Sequence, residues 1–127
     1  MKIRRIFRFA AVVLIVATFC VNAQKLPYIA ENREGVKQLI VGDKPFIFLG
    51  GELHNSTASN LNFLSPRMKD LKERHLNSVI ATVSWELFEP REGEFDYTLV
   101  KGIIDQAREN NLKLILIWFG TWKNSWS

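Results

Sequence analysis

Residues 77–97, NSVIATVSWELFEPREGEFDY, decide the fold. Ser78 to Val83 is short and rich in β-branched residues, which reads as a buried strand ending at Ser84-Trp85. A polar loop bearing Pro90 and Gly93 follows, and Asp96 is placed to cap a helix running from about Tyr97 to Asn110. Leu99, Ile103, Ile104 and Ala107 recur on one face of that helix, and Asn110-Asn111 ends it. Leu112 to Trp118, LKLILIW, has one charge near its start and is otherwise apolar, as in a strand covered on both sides.

Upstream, Ser65-Pro66 has a helix-start signature: a hydroxyl residue to cap free N–H groups, then a proline whose missing N–H costs nothing at the first helical position. Met68 and Leu71 follow at helical spacing, so a helix is expected from Pro66 to about His75. Before it, Val36 to Val41 faces Pro45 to Leu53 across Gly42-Asp43-Lys44, the pattern of a β-hairpin. The second arm contains FIFLGGEL, nearly all apolar, and serves as the first strand of the sheet. Gln24 to Gly35 is a polar lead-in to the domain at 36–127.

Strands alternating with helices over short connections imply a parallel α/β sheet with the helices packed outside it. Such strands fit either an open doubly wound sheet or a closed barrel. An open dinucleotide-binding sheet would carry a glycine-rich phosphate turn after its first strand. The segment there is HNSTASNLNFLSP, with neither that turn nor a Walker motif. The expectation is therefore about three βα units of a (β/α)8 TIM barrel, preceded by a hairpin.

Residues 1–23 belong to another class of segment. Lys2, Arg4, Arg5 and Arg8 precede an uncharged apolar run from Phe9 to Val21, closed by Val21-Asn22-Ala23. That is the layout of a secretory signal peptide, and the run is shorter than the roughly 20 residues a membrane-spanning helix needs. Export to the periplasm or the outside is expected, with no stable membrane anchor. Cys20 is the only cysteine, and Phe19 stands where a lipoprotein signal wants a small residue, so the mature chain has no thiol for disulfides or metal sites. The formal charge of +4 comes from 17 basic and 13 acidic residues; losing the leader's basic residues leaves 13 of each. No basic surplus remains to suggest a nucleic-acid partner.

In a barrel the active site lies at the C-terminal ends of the strands. Those ends read Glu52-Leu53-His54-Asn55, Trp85-Glu86-Leu87-Phe88-Glu89 and Trp118-Phe119-Gly120-Thr121-Trp122-Lys123-Asn124. Carboxylates, amides and aromatic rings together suit a sugar, whose hydroxyls bond to polar groups and whose apolar ring faces are covered by tryptophan. The candidate substrate-binding residues are Glu52, His54, Trp85, Glu86, Glu89, Trp122 and Lys123. No second histidine stands at ligand spacing from His54, so no metal and no cofactor is expected.

GGELH at 50–54, the stretch 77–97 and LKLILIWFG at 112–120 resemble the opening of β-galactosidase-type glycoside hydrolases, families 35 and 42, in a clan of (β/α)8-barrel retaining glycosidases. The most specific piece is Trp-x-x-x-Glu-Pro-x-x-Gly-x-Phe-Asp, realised as Trp85, Glu89, Pro90, Gly93, Phe95 and Asp96. The resemblance implies that His54 and Glu89 match residues after the first and second strands, and that Trp122 falls where family 35 has a sugar-contacting tyrosine. Glu86 stands where many members have asparagine, Phe88 where many have histidine, and FGTWKN replaces a proline-glycine-proline-tyrosine run.

Retaining hydrolysis uses an acid and a nucleophile, two carboxyl groups about 5 to 5.5 Å apart. The resemblance implies glutamates at the ends of the fourth and seventh strands, beyond Ser127, so these 127 residues are expected to be inactive by themselves. The partner expected is an oligosaccharide or polysaccharide. The alternative is a non-catalytic, exported carbohydrate-binding fragment.

Overall fold

Seven residues, Ser78–Ser84, form the middle strand of a parallel sheet. The computed structural model describes residues 25–120 and divides the chain into two units, Met1–Ile47 and Phe48–Ser127. Residues 1–24, with Cys20 and the expected signal peptide, and residues 121–127, with Trp122, Lys123 and Trp126, lie outside the described residues.

The first unit is an antiparallel sheet of β1 (Tyr28–Glu31), β2 (Lys37–Val41) and β3 (Lys44–Pro45). Gly42 and Asp43 make the two-residue connection between β2 and β3, with φ of 59° and 63°. Positive φ at both positions matches the right-handed twist of the flanking strands. Two sequence expectations are corrected here. The lead-in contains a strand, β1, and the hairpin's second arm is only Lys44–Pro45, extended by one bond from Phe46 N–H to the Leu39 carbonyl. Pro45 has no N–H to add to the ladder, and the residues that follow are used elsewhere.

They open the second unit. Here β4 (Gly50–Glu52), β5 (Ser78–Ser84) and β6 (Lys113–Phe119) lie in that order, each pair parallel. Gly50 pairs with Ser78 so closely that a Cβ on Gly50 would stand 2.4 Å from the Ser78 carbonyl oxygen. Asn77 fixes the same end: its backbone N–H donates to the Leu49 carbonyl and its Oδ1 accepts from the Leu49 N–H, each at 2.9 Å.

Side chains alternate along β5, and burial shows which side the helices cover. Val79, Ala81 and Val83 are fully buried against Leu64 and Met68 of α1 (Leu61–Glu73) and Ile103 and Ala107 of α3 (Thr98–Glu109). Their register partners Leu114 and Leu116 pack on the same core, whereas Ile80, in register with Glu52 and Ile115, faces the other side. Helix α3 sits close to α1 at Gly102, where a Cβ would come within 2.3 Å of Leu61, and the Gln106 amide donates to the Leu61 carbonyl at 2.9 Å.

Helix α1 begins earlier than Ser65-Pro66 suggests. Asn60 is its cap, with Oδ1 accepting the N–H groups of Asn62 and Phe63 at 2.9 and 3.1 Å, after a 3-10 turn at Thr57–Ser59. Pro66 lies inside the helix and leaves the Asn62 carbonyl without its intrahelical donor. The earlier start carries Leu64 into the core, which offsets that cost. Other boundaries move less: α3 spans Thr98–Glu109, β6 spans Lys113–Phe119, and Trp85–Phe88, read as loop, forms a single helical turn, α2.

Helices α1 and α3 end alike. His75 and Asn111 adopt φ of 62° and 54°, and Leu76 and Leu112 donate N–H bonds back to the Leu71 and Ala107 carbonyls. This is the Schellman arrangement, whose left-handed residue is best as glycine. His75→Gly is thus expected to raise stability by about 1 kcal/mol in a denaturant titration, because it removes the left-handed penalty of a side chain. A loss of stability would show that the His75 side chain contributes more than its backbone costs.

Candidate functional site

The chain leaving β4 stays with β5. Leu53 N–H donates to the Ile80 carbonyl at 2.9 Å, and the Thr82 hydroxyl donates to the Asn55 carbonyl. Glu52 and His54 therefore stand at the C-terminal end of the sheet, both exposed. His54 Nδ1 lies 3.2 Å from the Ser56 hydroxyl oxygen and accepts the Ser56 N–H at 3.4 Å, so the imidazole is tied to its own loop. The Thr82 tie was invisible in the sequence, where that threonine reads only as one β-branched residue of a buried strand.

After β5 the chain folds into α2 and then a tight loop. Phe88 lies 5.8 Å from Trp85, 5.5 Å from Phe95, 5.1 Å from Tyr97 and 4.9 Å from Trp118, measured between ring centroids. Trp85 meets Trp118 edge to face at 5.7 Å and Phe95 at 6.5 Å. Such tilted and edge-on contacts are the favourable ones for aromatic rings. The cluster is only half buried: Trp85 is 43% exposed and Trp118 42%.

Glu89 is partly buried and its Oε1 accepts the N–H of Gly93 at 2.7 Å. Between them, Glu94 N–H donates to the Arg91 carbonyl, with Gly93 at φ 78° in the third position of a type II turn. Asp96 N–H returns to the Phe88 carbonyl at 2.8 Å, and Asp96 Oδ1 accepts the Thr98 N–H at the start of α3. Asp96 thus supplies the cap that the sequence assigned to it.

The Asp96 carboxyl is held below the usual aspartate range by hydrogen bonds from Thr98, the side-chain one larger than the backbone one. A lowered folded value means that the stabilisation is present above the ordinary aspartate range near 3.9 and is lost as pH falls through the lower folded value. Asp96→Asn is expected to melt below the wild type near neutral pH, with the gap closing in acid. A gap independent of pH would remove the charge from this account.

Glu52 and Trp118 share the end of the sheet but not its side, since Glu52 is in register with Ile80 and Trp118 with Val83. The polar groups of β4 face away from the helices, while the aromatic cluster stands on the helix side. Glu86 is exposed in α2, next to Trp85. An open groove of about 490 Å³, lined by Asn60, Leu61, Leu87, Asp96 and Thr98 among others, lies between the starts of α1 and α3. Among the described residues no group of three or more histidine, cysteine, aspartate or glutamate side chains is placed to hold a metal ion, and no helix is long and apolar enough to cross a membrane.

The parallel β-α-β-α-β unit is similar in fold to part of a solved mannosidase structure. The exo-beta-1,4-mannosidase Op5Man5 from Opitutaceae bacterium strain TAV5 is similar over 76% of this chain and 18% of its own, at 20% identity and a TM-score of 0.53. A family 39 glycoside hydrolase from the gut symbiont Bacteroides cellulosilyticus WH2 matches 72% of this chain and 20% of its own, at 12% identity and a TM-score of 0.44. The first of these likenesses is one of fold, and the chain spans about a fifth of the length of either protein. No curated protein matches the chain. The glycoside hydrolase family 42 model, described as beta-galactosidase, matches residues 57–120, and the chain belongs to that family.

Proposed function

We propose that these residues are the N-terminal part of an exported glycoside hydrolase, β-galactosidase-like, whose strands are the opening of a (β/α)8 barrel. The observation that supports the reading is Glu52 at the C-terminal end of a parallel sheet, in register with Ile80 on the side away from the helices, with His54 exposed in the loop two residues on. That is the end and the side where a barrel would hold substrate. Glu52 and His54 would bond to sugar hydroxyls, and Trp85 and Glu86 would border them from the next loop. Trp122 and Lys123 would extend the same end.

Full hydrolysis would proceed by the retaining, two-carboxylate route, with the acid and nucleophile supplied from outside these 127 residues. Export is supported by the basic and then apolar order of residues 1–23. Calorimetric titration with methyl β-galactopyranoside tests the binding role. Binding is expected to weaken about tenfold in Glu52→Gln, which replaces a charge-assisted hydrogen bond by a neutral one. No binding by the wild-type chain, or equal binding by the variant, contradicts the assignment, and turnover of an aryl β-galactoside by the 127-residue chain contradicts its proposed inactivity.

A further inference from the structure

The pattern Trp85, Glu89, Pro90, Gly93, Phe95, Asp96 is explained almost entirely by bonds within itself. Glu89 N–H reaches the Trp85 carbonyl at 2.7 Å, Glu89 Oε1 takes the Gly93 N–H, and Asp96 N–H takes the Phe88 carbonyl. Gly93 holds the positive φ that lets its amide turn inward, and no atom would crowd a Cβ there, so backbone angle rather than space requires the glycine. The outcome is that Phe95 and Tyr97 are returned onto Phe88 and Trp85.

We propose that Glu89 is a positioning residue: its carboxylate clamps the Gly93 amide, closes the loop, and thereby fixes the Trp85 indole against Trp118 at the end of the sheet. One of the two carboxylate oxygens, Oε1, is engaged within its own loop. Charge is not what the clamp requires, because a glutamine carbonyl can accept the same N–H. The consequence for sugar recognition rests on the function proposed above; the clamp itself does not.

Two tryptophan rings 5.7 Å apart and inclined at 71° couple their electronic transitions, so the full 127-residue chain should show an exciton couplet in circular dichroism that Trp118→Phe abolishes. Glu89→Ala is expected to lose most of that couplet while keeping its helical signal, whereas Glu89→Gln keeps both. If Glu89→Ala fails to fold, Glu89→Gln still decides: a folded variant with the couplet intact supports the clamp, and a couplet lost in Glu89→Gln overturns it. An undiminished couplet in a folded Glu89→Ala also overturns it.

Titration of Glu89→Gln with methyl β-galactopyranoside adds an independent reading. Affinity unchanged from the wild type supports a positioning role, while a loss of about tenfold with the couplet intact assigns the carboxylate to the sugar instead. Absence of sugar binding by the wild type would sink the proposed function and leave the dichroism result standing by itself.

Discussion

Gly50→Ala is expected to destabilise the parallel unit by about 3 kcal/mol, the upper range for forcing extra volume into a packed site. The added Cβ would meet the Ser78 carbonyl oxygen at 2.4 Å and its carbon at 2.8 Å. Those are backbone atoms of the central strand, and they cannot swing aside as a side chain can. The Phe48 ring tip, also 2.8 Å away, could move. Relief therefore demands that β4 draw away from β5, and β4 has only three residues in register to hold it. Chemical denaturation of the variant measures the loss; a change below about 0.5 kcal/mol, the scale of an ordinary surface substitution, would mean that β4 does not pair as described.

Leu64→Ala should cost about as much, in the range of roughly 2 to 5 kcal/mol for a large buried aliphatic side chain. Leu64 is fully buried among Met68, Val79, Val83 and Ile103, where α1 and α3 meet the central strand. Truncation removes its contacts and leaves a void that helices anchored at both ends by caps cannot close. Since small domains have only about 5 to 15 kcal/mol of stability in all, the variant should unfold at much lower denaturant. A near-wild-type midpoint would place Leu64 outside the core and would revive the later helix start at Pro66.

That start is where sequence reasoning and structure differ most, and the reason is physical. Ser65-Pro66 has the chemistry of a first turn, but Asn60 five residues earlier has it too, and only the burial of Leu61 and Leu64 decides between them. Local signals cannot weigh a core that is assembled from β5 and α3. The strands Ser78–Ser84 and Lys113–Phe119 were legible because the first is short and rich in β-branched residues and the second is apolar after its opening lysine. FIFLGGEL was misjudged as one long arm: Gly50 is there for close approach to Ser78, a requirement set by a strand nearly thirty residues away.

At the candidate site the sequence showed that Glu52 and His54 fall at the C-terminal end of the sheet, but not on which side of it each group stands. Glu52 and His54 were found from their place after an apolar run, and the structure keeps both exposed at that end. The engagement of Glu89 with Gly93 was not foreseen, because a glutamate before proline carries no sign of which partner it will take. Trp118, at the end of the third strand, is half exposed within an aromatic cluster on the helix side.

The claim beneath all of this is that sugar is held at the C-terminal end of the β4-β5-β6 sheet. Amide shifts of the isotope-labelled chain, followed during titration with methyl β-galactopyranoside, test it directly. The account predicts that changes gather at Glu52 to Asn55 and Trp85 to Phe88. Changes confined to Leu49, Asn77 and Leu112, at the other end of the strands, would contradict it.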